Sequence, residues 1–198
     1  MKTSTVRKIL TPSFHFFRRV KYAGIENIPK QGPVIFIANH QGLIDPFLIG
    51  YNAPDMIHWM AKKELFKNKF VAWFISSMGA YPIDRSSAAD MQSKRTTTAL
   101  LNDGKFVGMF PQGTRAKKGK PLPKAKPGFV RYALESNAVI QPVSISGKNH
   151  IFGKMFVRYG TPFKVPADLE KSLFTDYAQT KLDEIYNMAE VPFENSNS

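Results

Sequence analysis

Six short apolar runs recur along the chain, at 34–38, 56–61, 80–83, 106–110, 139–146 and 155–159. Each has the length and β-branched or aromatic content of a strand. The run at 34–38 carries no charge, as expected of a strand buried on both faces of a parallel sheet. Between the runs, helical patterning covers 46–51, 64–77, 87–102 and 125–136, and a last stretch near 168–189 follows the final strand. Strands alternating with helices predict an α/β fold: a layered, mainly parallel β-sheet flanked by helices, in a single domain. No internal repeat or low-complexity linker interrupts the pattern, and only the polar tail at 194–198 reads as disordered.

The end of the first run carries the most informative residues. Asn39-His40-Gln41-Gly42-Leu43-Ile44-Asp45-Pro46 sets an imidazole just past a buried strand and a carboxylate five residues later. Gly42 permits a tight turn, and Asp45-Pro46 reads as an N-cap followed by proline at the first helical position. Chain reversal then brings Asp45 to His40. Open α/β sheets bind ligands at this rim, and a general base needs a partner that fixes its tautomer. Taken alone, however, Asp before Pro is an ordinary helix start.

Composition narrows the chemistry. At 198 residues and 43% hydrophobic content the chain is long enough for one well-buried domain and short for two. With no cysteine, disulfides, thiolate metal sites and a cysteine nucleophile are all excluded. No metal site is expected. No apolar run reaches the roughly 18 residues that span a bilayer, and the basic start is not followed by a signal-peptide core. A cytoplasmic location is the expectation.

The net charge of +13 is unevenly spread, with residues 1–164 carrying +18 and residues 165–198 carrying −5. Residues 105–131 hold Lys105, Arg115, Lys117, Lys118, Lys120, Lys124, Lys126 and Arg131 with no acid. Such a run serves equally as solvated surface, nucleic-acid contact, phospholipid surface or dock for an acidic protein.

Two further groups of residues fall at strand ends. Phe110-Pro111-Gln112-Gly113-Thr114-Arg115 combines a close-approach glycine, a hydroxyl and a guanidinium that can clamp two phosphate oxygens. The plainer alternative is a turn with surface charge. Tyr81-Pro82-Ile83-Asp84-Arg85 is weaker, because Asp84 and Arg85 also suit a local ion pair. His15, His58 and His150 have no comparable company and read as structural or surface.

In this order the blocks resemble the glycerolipid acyltransferase family, in particular the 1-acylglycerol-3-phosphate acyltransferases. Asn39-His40 to Asp45 is similar to that family's N-H-x-x-x-x-D block, Pro82 to Arg85 to its second, Phe110 to Arg115 to F-P-E-G-T-R, and Val139 to Val143 to its last. The resemblance covers about residues 20–160. It implies transfer of a fatty acyl group from a thioester, on acyl carrier protein or coenzyme A, to the free hydroxyl of lysophosphatidate, with no other cofactor. By the same resemblance His40 is the general base and Asp45 its partner. Arg115 and the Gly113 amide, beside Thr114, would hold the acceptor's phosphate, with Lys62 or its neighbour Lys63, and Arg85, near it. Gln112 stands where the family usually has Glu, which leaves acceptor identity open. Gln141-Pro142-Val143 would be structural or part of the donor site.

Residues 1–20, with Leu10, Phe14, Phe16 and Phe17 among Arg7, Lys8, Arg18 and Arg19, suit either contact with an anionic membrane surface or packing on the sheet. The acyltransferase domain is then expected at 21–193, acting as a peripheral protein on the cytoplasmic face of the membrane. The Phe70–Ile75 stretch reads as core or as lining of an acyl-chain groove. Rival functions are an acyltransferase for another lysolipid and a non-catalytic module binding anionic phospholipid. Nucleic acid is not an expected partner, since no recognition motif accompanies the charge, and a lipid hydrolase would need a nucleophile elbow that is missing.

Overall fold

The fold is built outward from the most apolar run. In the computed structural model, which describes residues 19–84, 91–116, 119, 121–148 and 153–192, Val34–Ala38 forms strand β2 with all five side chains buried. Its parallel neighbours are β5 (Phe106–Met109) and β6 (Val139–Gly147). Beyond β5 lie β3 (Ile57–Lys62) and then β4 (Tyr81–Ile83), both parallel. On the other side β7 (Lys154–Tyr159) joins β6 antiparallel, and β1 (Arg19–Ala23) closes the edge parallel to β7. The order among the described residues is β1-β7-β6-β2-β5-β3-β4.

Because side chains alternate across a strand, β2 feeds two cores. Ile35 and Ile37 pack with Val107, Met109 and Ile140 against helices α3 (Met91–Asn102), α4 (Gly128–Ser136) and α5 (Phe174–Glu190), which contribute Leu101, Phe129, Ala133, Ala178, Leu182 and Ile185. Val34, Phe36 and Ala38 face the opposite layer, with Trp59, Phe106, Ile145 and Val157, and with Leu48 and Ile49 of α1 (Asp45–Gly50). Helix α2 (Lys69–Ser77) has no buried residue and lies at the margin.

The six strand expectations correspond to strands with ends moved by a residue or so, and four of the five helical stretches correspond to helices, of which 87–90 lie outside the described residues and the last begins at Phe174. Three differences matter. The strand β1 was not expected at all: Arg19 and Val20, assigned by pattern to the membrane-contacting segment, pair with Lys154 and Met155. Residues 64–77 are not one helix but a 3-10 turn, Lys63–Lys67, and then α2, separated by Asn68, whose side chain caps α2 by accepting from the Phe70 and Val71 amides. Asp45 is not the N-cap of α1 but lies within its first turn, beside Pro46, and Ile44 takes the cap position. Residues 1–18, Arg85 and the tail at 194–198 lie outside the described residues.

Candidate active site

Parallel pairing fixes which loops meet. Ile37 of β2 lies beside Met109 of β5, so the two chains leave the sheet together and the His40 loop faces the Phe110–Arg115 loop. Backbone bonds tie them, since the Ala116 N–H donates to the His40 carbonyl (3.0 Å). From the other side Asn39, fully buried, continues the sheet with its side chain: its Nδ2 donates to the Ile145 carbonyl at 2.8 Å and its Oδ1 accepts from the Ile145 N–H at 2.7 Å. Gln41 Nε2 donates to the same carbonyl. The loop that carries His40 is therefore pinned on one side to the loop after β5 and on the other to β6.

Asp45 turns its carboxylate back into this loop. One oxygen, Oδ2, accepts from the Gln41 N–H (2.7 Å) and the Gly42 N–H (2.8 Å) and lies 2.8 Å from His40 Nδ1. The carboxylate is wholly buried, and Oδ1 has no hydrogen-bond partner. A carboxylate oxygen only accepts, so Nδ1 carries a proton, and in the neutral ring Nε2 is the nitrogen with the free lone pair. The ring plane is set by stacking: His40 lies 3.9 Å from the Phe110 ring at 13°, and Phe110 lies 4.9 Å from Trp59 at 20°. Gly108 makes the last contact possible, because a Cβ there would sit 2.5 Å from the Trp59 indole.

In front of His40 opens a cleft of about 440 Å³ between α1, α2 and β3, a size usual for a small-molecule site. Its lining joins His40 and the exposed Lys62, Thr114 and Arg115, at the mouth, to the less exposed Phe47, Met56, Trp59, Met60, Ile75 and Met78. A lining of both kinds suits a ligand that has a charged part and an apolar part. Of the Phe70–Ile75 stretch only Ile75 lines the cleft, and none of it is buried, so it is not core. Lys62 is at the mouth, paired loosely with Glu64 at 3.6 Å, whereas Lys63 is not a lining residue and bonds to Asp84 instead.

Gln112 and Gly113 take other parts. Gln112 is 3% exposed and does not line the cleft. Its Oε1 accepts from the His40 N–H (3.0 Å) and its Nε2 donates to the Tyr186 hydroxyl of α5. Burial lifts the Tyr186 hydroxyl above its ordinary range, against the Gln112 bond, so it stays protonated. Gly113 adopts φ +67° and its N–H donates to the Phe110 carbonyl, so this position supplies a left-handed turn. Gln141 and Val143 are buried, and Gln141 Nε2 donates to the Gly160 carbonyl, a structural role. His58, whose imidazole is lowered chiefly by burial, points Nδ1 at the Gly79 carbonyl, away from this chemistry. Among the described residues no group of His, Asp and Glu suits a metal ion.

Comparison with known proteins fits this arrangement. A family model described as "Acyltransferase" matches residues 19–146, which include both loops. The chain belongs to the acyltransferase family. It is an acyltransferase, 32% identical over 180 residues to the 1-acyl-sn-glycerol-3-phosphate acyltransferase of Bacillus subtilis, a match covering 85% of this chain and 88% of that protein. The enzyme of the same name from Saccharomyces cerevisiae is 31% identical over 84% of this chain, which spans little more than half (58%) of the yeast protein. The crystal structure of the 1-acyl-sn-glycerophosphate acyltransferase PlsC from Thermotoga maritima superposes with a TM-score of 0.73 at 25% identity, covering 96% of this chain and 81% of that one.

Sequence reading missed Phe110 as the stacking partner of His40, Trp59 behind it, and Tyr186. The first carried a weak signal, being an aromatic residue just past the carboxyl end of the strand beside β2, whereas Trp59 lies inside β3 and carried none. Tyr186 carried none, since it lies 74 residues from Gln112.

Proposed function

We propose that this acyltransferase moves a fatty acyl group from a thioester donor to the free hydroxyl of 1-acylglycerol 3-phosphate, giving phosphatidate. The observation that carries the reading is the His40 Nδ1 to Asp45 Oδ2 contact of 2.8 Å at the head of a cleft with a cationic mouth and an apolar interior. His40 Nε2 takes the acceptor's hydroxyl proton as the oxygen attacks the thioester carbonyl carbon. A tetrahedral intermediate forms, its C–S bond breaks, and the imidazolium returns the proton to the departing thiolate. Asp45 holds the tautomer and steadies the imidazolium. Arg115, with Thr114 and Lys62, meets the phosphate, and the acyl chain occupies the interior between Trp59, Ile75 and Met78.

The donor is an acyl thioester of acyl carrier protein or coenzyme A. Both present the same carbonyl and both are anionic, which suits the basic flank. No resident cofactor enters the chemistry. The lipid acceptor and the cationic surface support work as a peripheral protein on the cytoplasmic face of an anionic membrane; no described helix is long and apolar enough to cross one.

Crossing the two donors with lysolipids of different headgroups tests the proposal. The expected result is thiol release and phosphatidate from the acceptor bearing a phosphate monoester, and none from His40→Ala protein with an unchanged fold. Equal use of acceptors lacking that phosphate would remove the acceptor assignment. Turnover persisting in His40→Ala above a small fraction of wild type would remove the base.

A further inference from the structure

A helix that is apolar on every side is ordinarily buried, in a core or in a bilayer. α2, Lys-Phe-Val-Ala-Trp-Phe-Ile-Ser-Ser, has no buried residue. Its inner side is accounted for: Phe74 meets Phe47 with ring centroids 6.0 Å apart, and Ile75 lines the cleft. The outer side faces water. Phe70 is 74% exposed and Trp73 56%, with rings 6.1 Å apart, while Leu43 (67%) and Leu65 (40%) are exposed on the cleft's own lining. Isolated exposed apolar residues need no explanation; four around one opening do.

Charge indicates what covers them. The run Lys62–Lys69 holds four lysines against the single Glu64. Lys62 and Lys63 have acidic partners, but Lys67 and Lys69 enter no ion pair among the described residues. We infer that this face, Leu65, Phe70 and Trp73 with Lys67 and Lys69 beside them, docks on an anionic phospholipid bilayer. The outer side of α2 enters the headgroup boundary and the lysines meet the phosphates. Tryptophan and phenylalanine with flanking lysines is the composition of an interfacial helix, whereas lysine is depleted at protein–protein interfaces. The inference rests on the proposed function for its purpose only: a lipid acceptor then slides from the bilayer between α1 and α2, its phosphate reaching Arg115 at the rim. It does not involve residues 1–18.

The test uses the full chain with vesicles of phosphatidylglycerol or phosphatidylcholine carrying bromine-labelled acyl chains. Trp73 fluorescence is expected to be quenched on the anionic vesicles, and the quenched component to be missing in Trp73→Phe, which retains the buried Trp59. Phe70→Ser with Trp73→Ser should weaken vesicle partition at least about tenfold, and Lys67→Gln with Lys69→Gln about tenfold at low salt, with the latter difference vanishing at high salt. Both double variants should turn over a short-chain, monomeric acceptor like wild type. Unquenched Trp73 in vesicle-bound protein, or unchanged partition of the aromatic double variant, would overturn the docking face. Loss of binding to acyl carrier protein with unaltered vesicle binding would overturn it as well, in favour of an acidic protein. Wild-type protein that binds vesicles through Trp73 yet turns over no monomeric acceptor would overturn the proposed function and leave the docking face standing.

Discussion

The two walls of the cleft are built in opposite ways. On the His40 wall the polar side chains are tied down, Asp45 Oδ1 aside: Asp45 takes three contacts on its other oxygen, Asn39 and Gln41 bind Ile145, and Gln112 bridges the loop to α5. The α2 wall has no buried side chain and presents aromatic rings to solvent. The contrast teaches a division of labour. Proton transfer needs a base within a fraction of an ångström of its working position, which a buried hydrogen-bonded network supplies. Admitting a lipid needs an apolar surface that is still open.

The largest effect expected on the rigid wall comes from Asp45→Asn. An amide can turn its NH2 toward His40 and reverse the ring tautomer, so turnover should fall on the order of 10³-fold or more, as judged by single-turnover rates. A fall of less than tenfold would show that the carboxylate matters for folding and not for the base. Next, Arg115→Ala removes one charge-assisted contact at the mouth and should lower acceptor kcat/KM by about 10- to 100-fold, leaving donor KM unchanged. An unchanged acceptor dependence would take Arg115 out of the site.

Gln112 sharpens the comparison further. Gln112→Ala leaves the His40 N–H without its acceptor in a buried place and should lower stability by about 1–3 kcal/mol in urea unfolding. Gln112→Glu keeps an oxygen for that N–H and accepts from the Tyr186 hydroxyl instead of donating to it, so headgroup preference should stay as in wild type. A changed preference would mean that this position reaches the acceptor after all. Smallest of all, Phe70→Ala with Trp73→Ala should alter stability in vesicle-free buffer by less than about 0.5 kcal/mol per substitution, against about 3–5 kcal/mol for Phe129→Ala in the core. A loss of core size would show the outer face of α2 to be packed, and the two walls to be alike.

Much of this was legible in the chain because it is local. The five-residue spacing of His40 and Asp45 lets one turn bring them together, and uncharged β-branched runs declare a buried parallel strand wherever they occur. Glycine at 113 likewise marks a left-handed turn without reference to anything distant. What the sequence could not decide depends on partners far along the chain. β1 has no apolar run of its own and becomes a strand by pairing with β7, more than 130 residues later. Gln112 looks like a change in what touches the acceptor, and only the approach of α5 turns it inward to Tyr186. Apolar patterning alone leaves α2 between a core and the lining of a groove. The tertiary structure leaves it at the margin, since the two cores of the sheet are packed by the other described helices and burial is a property of what arrives from elsewhere.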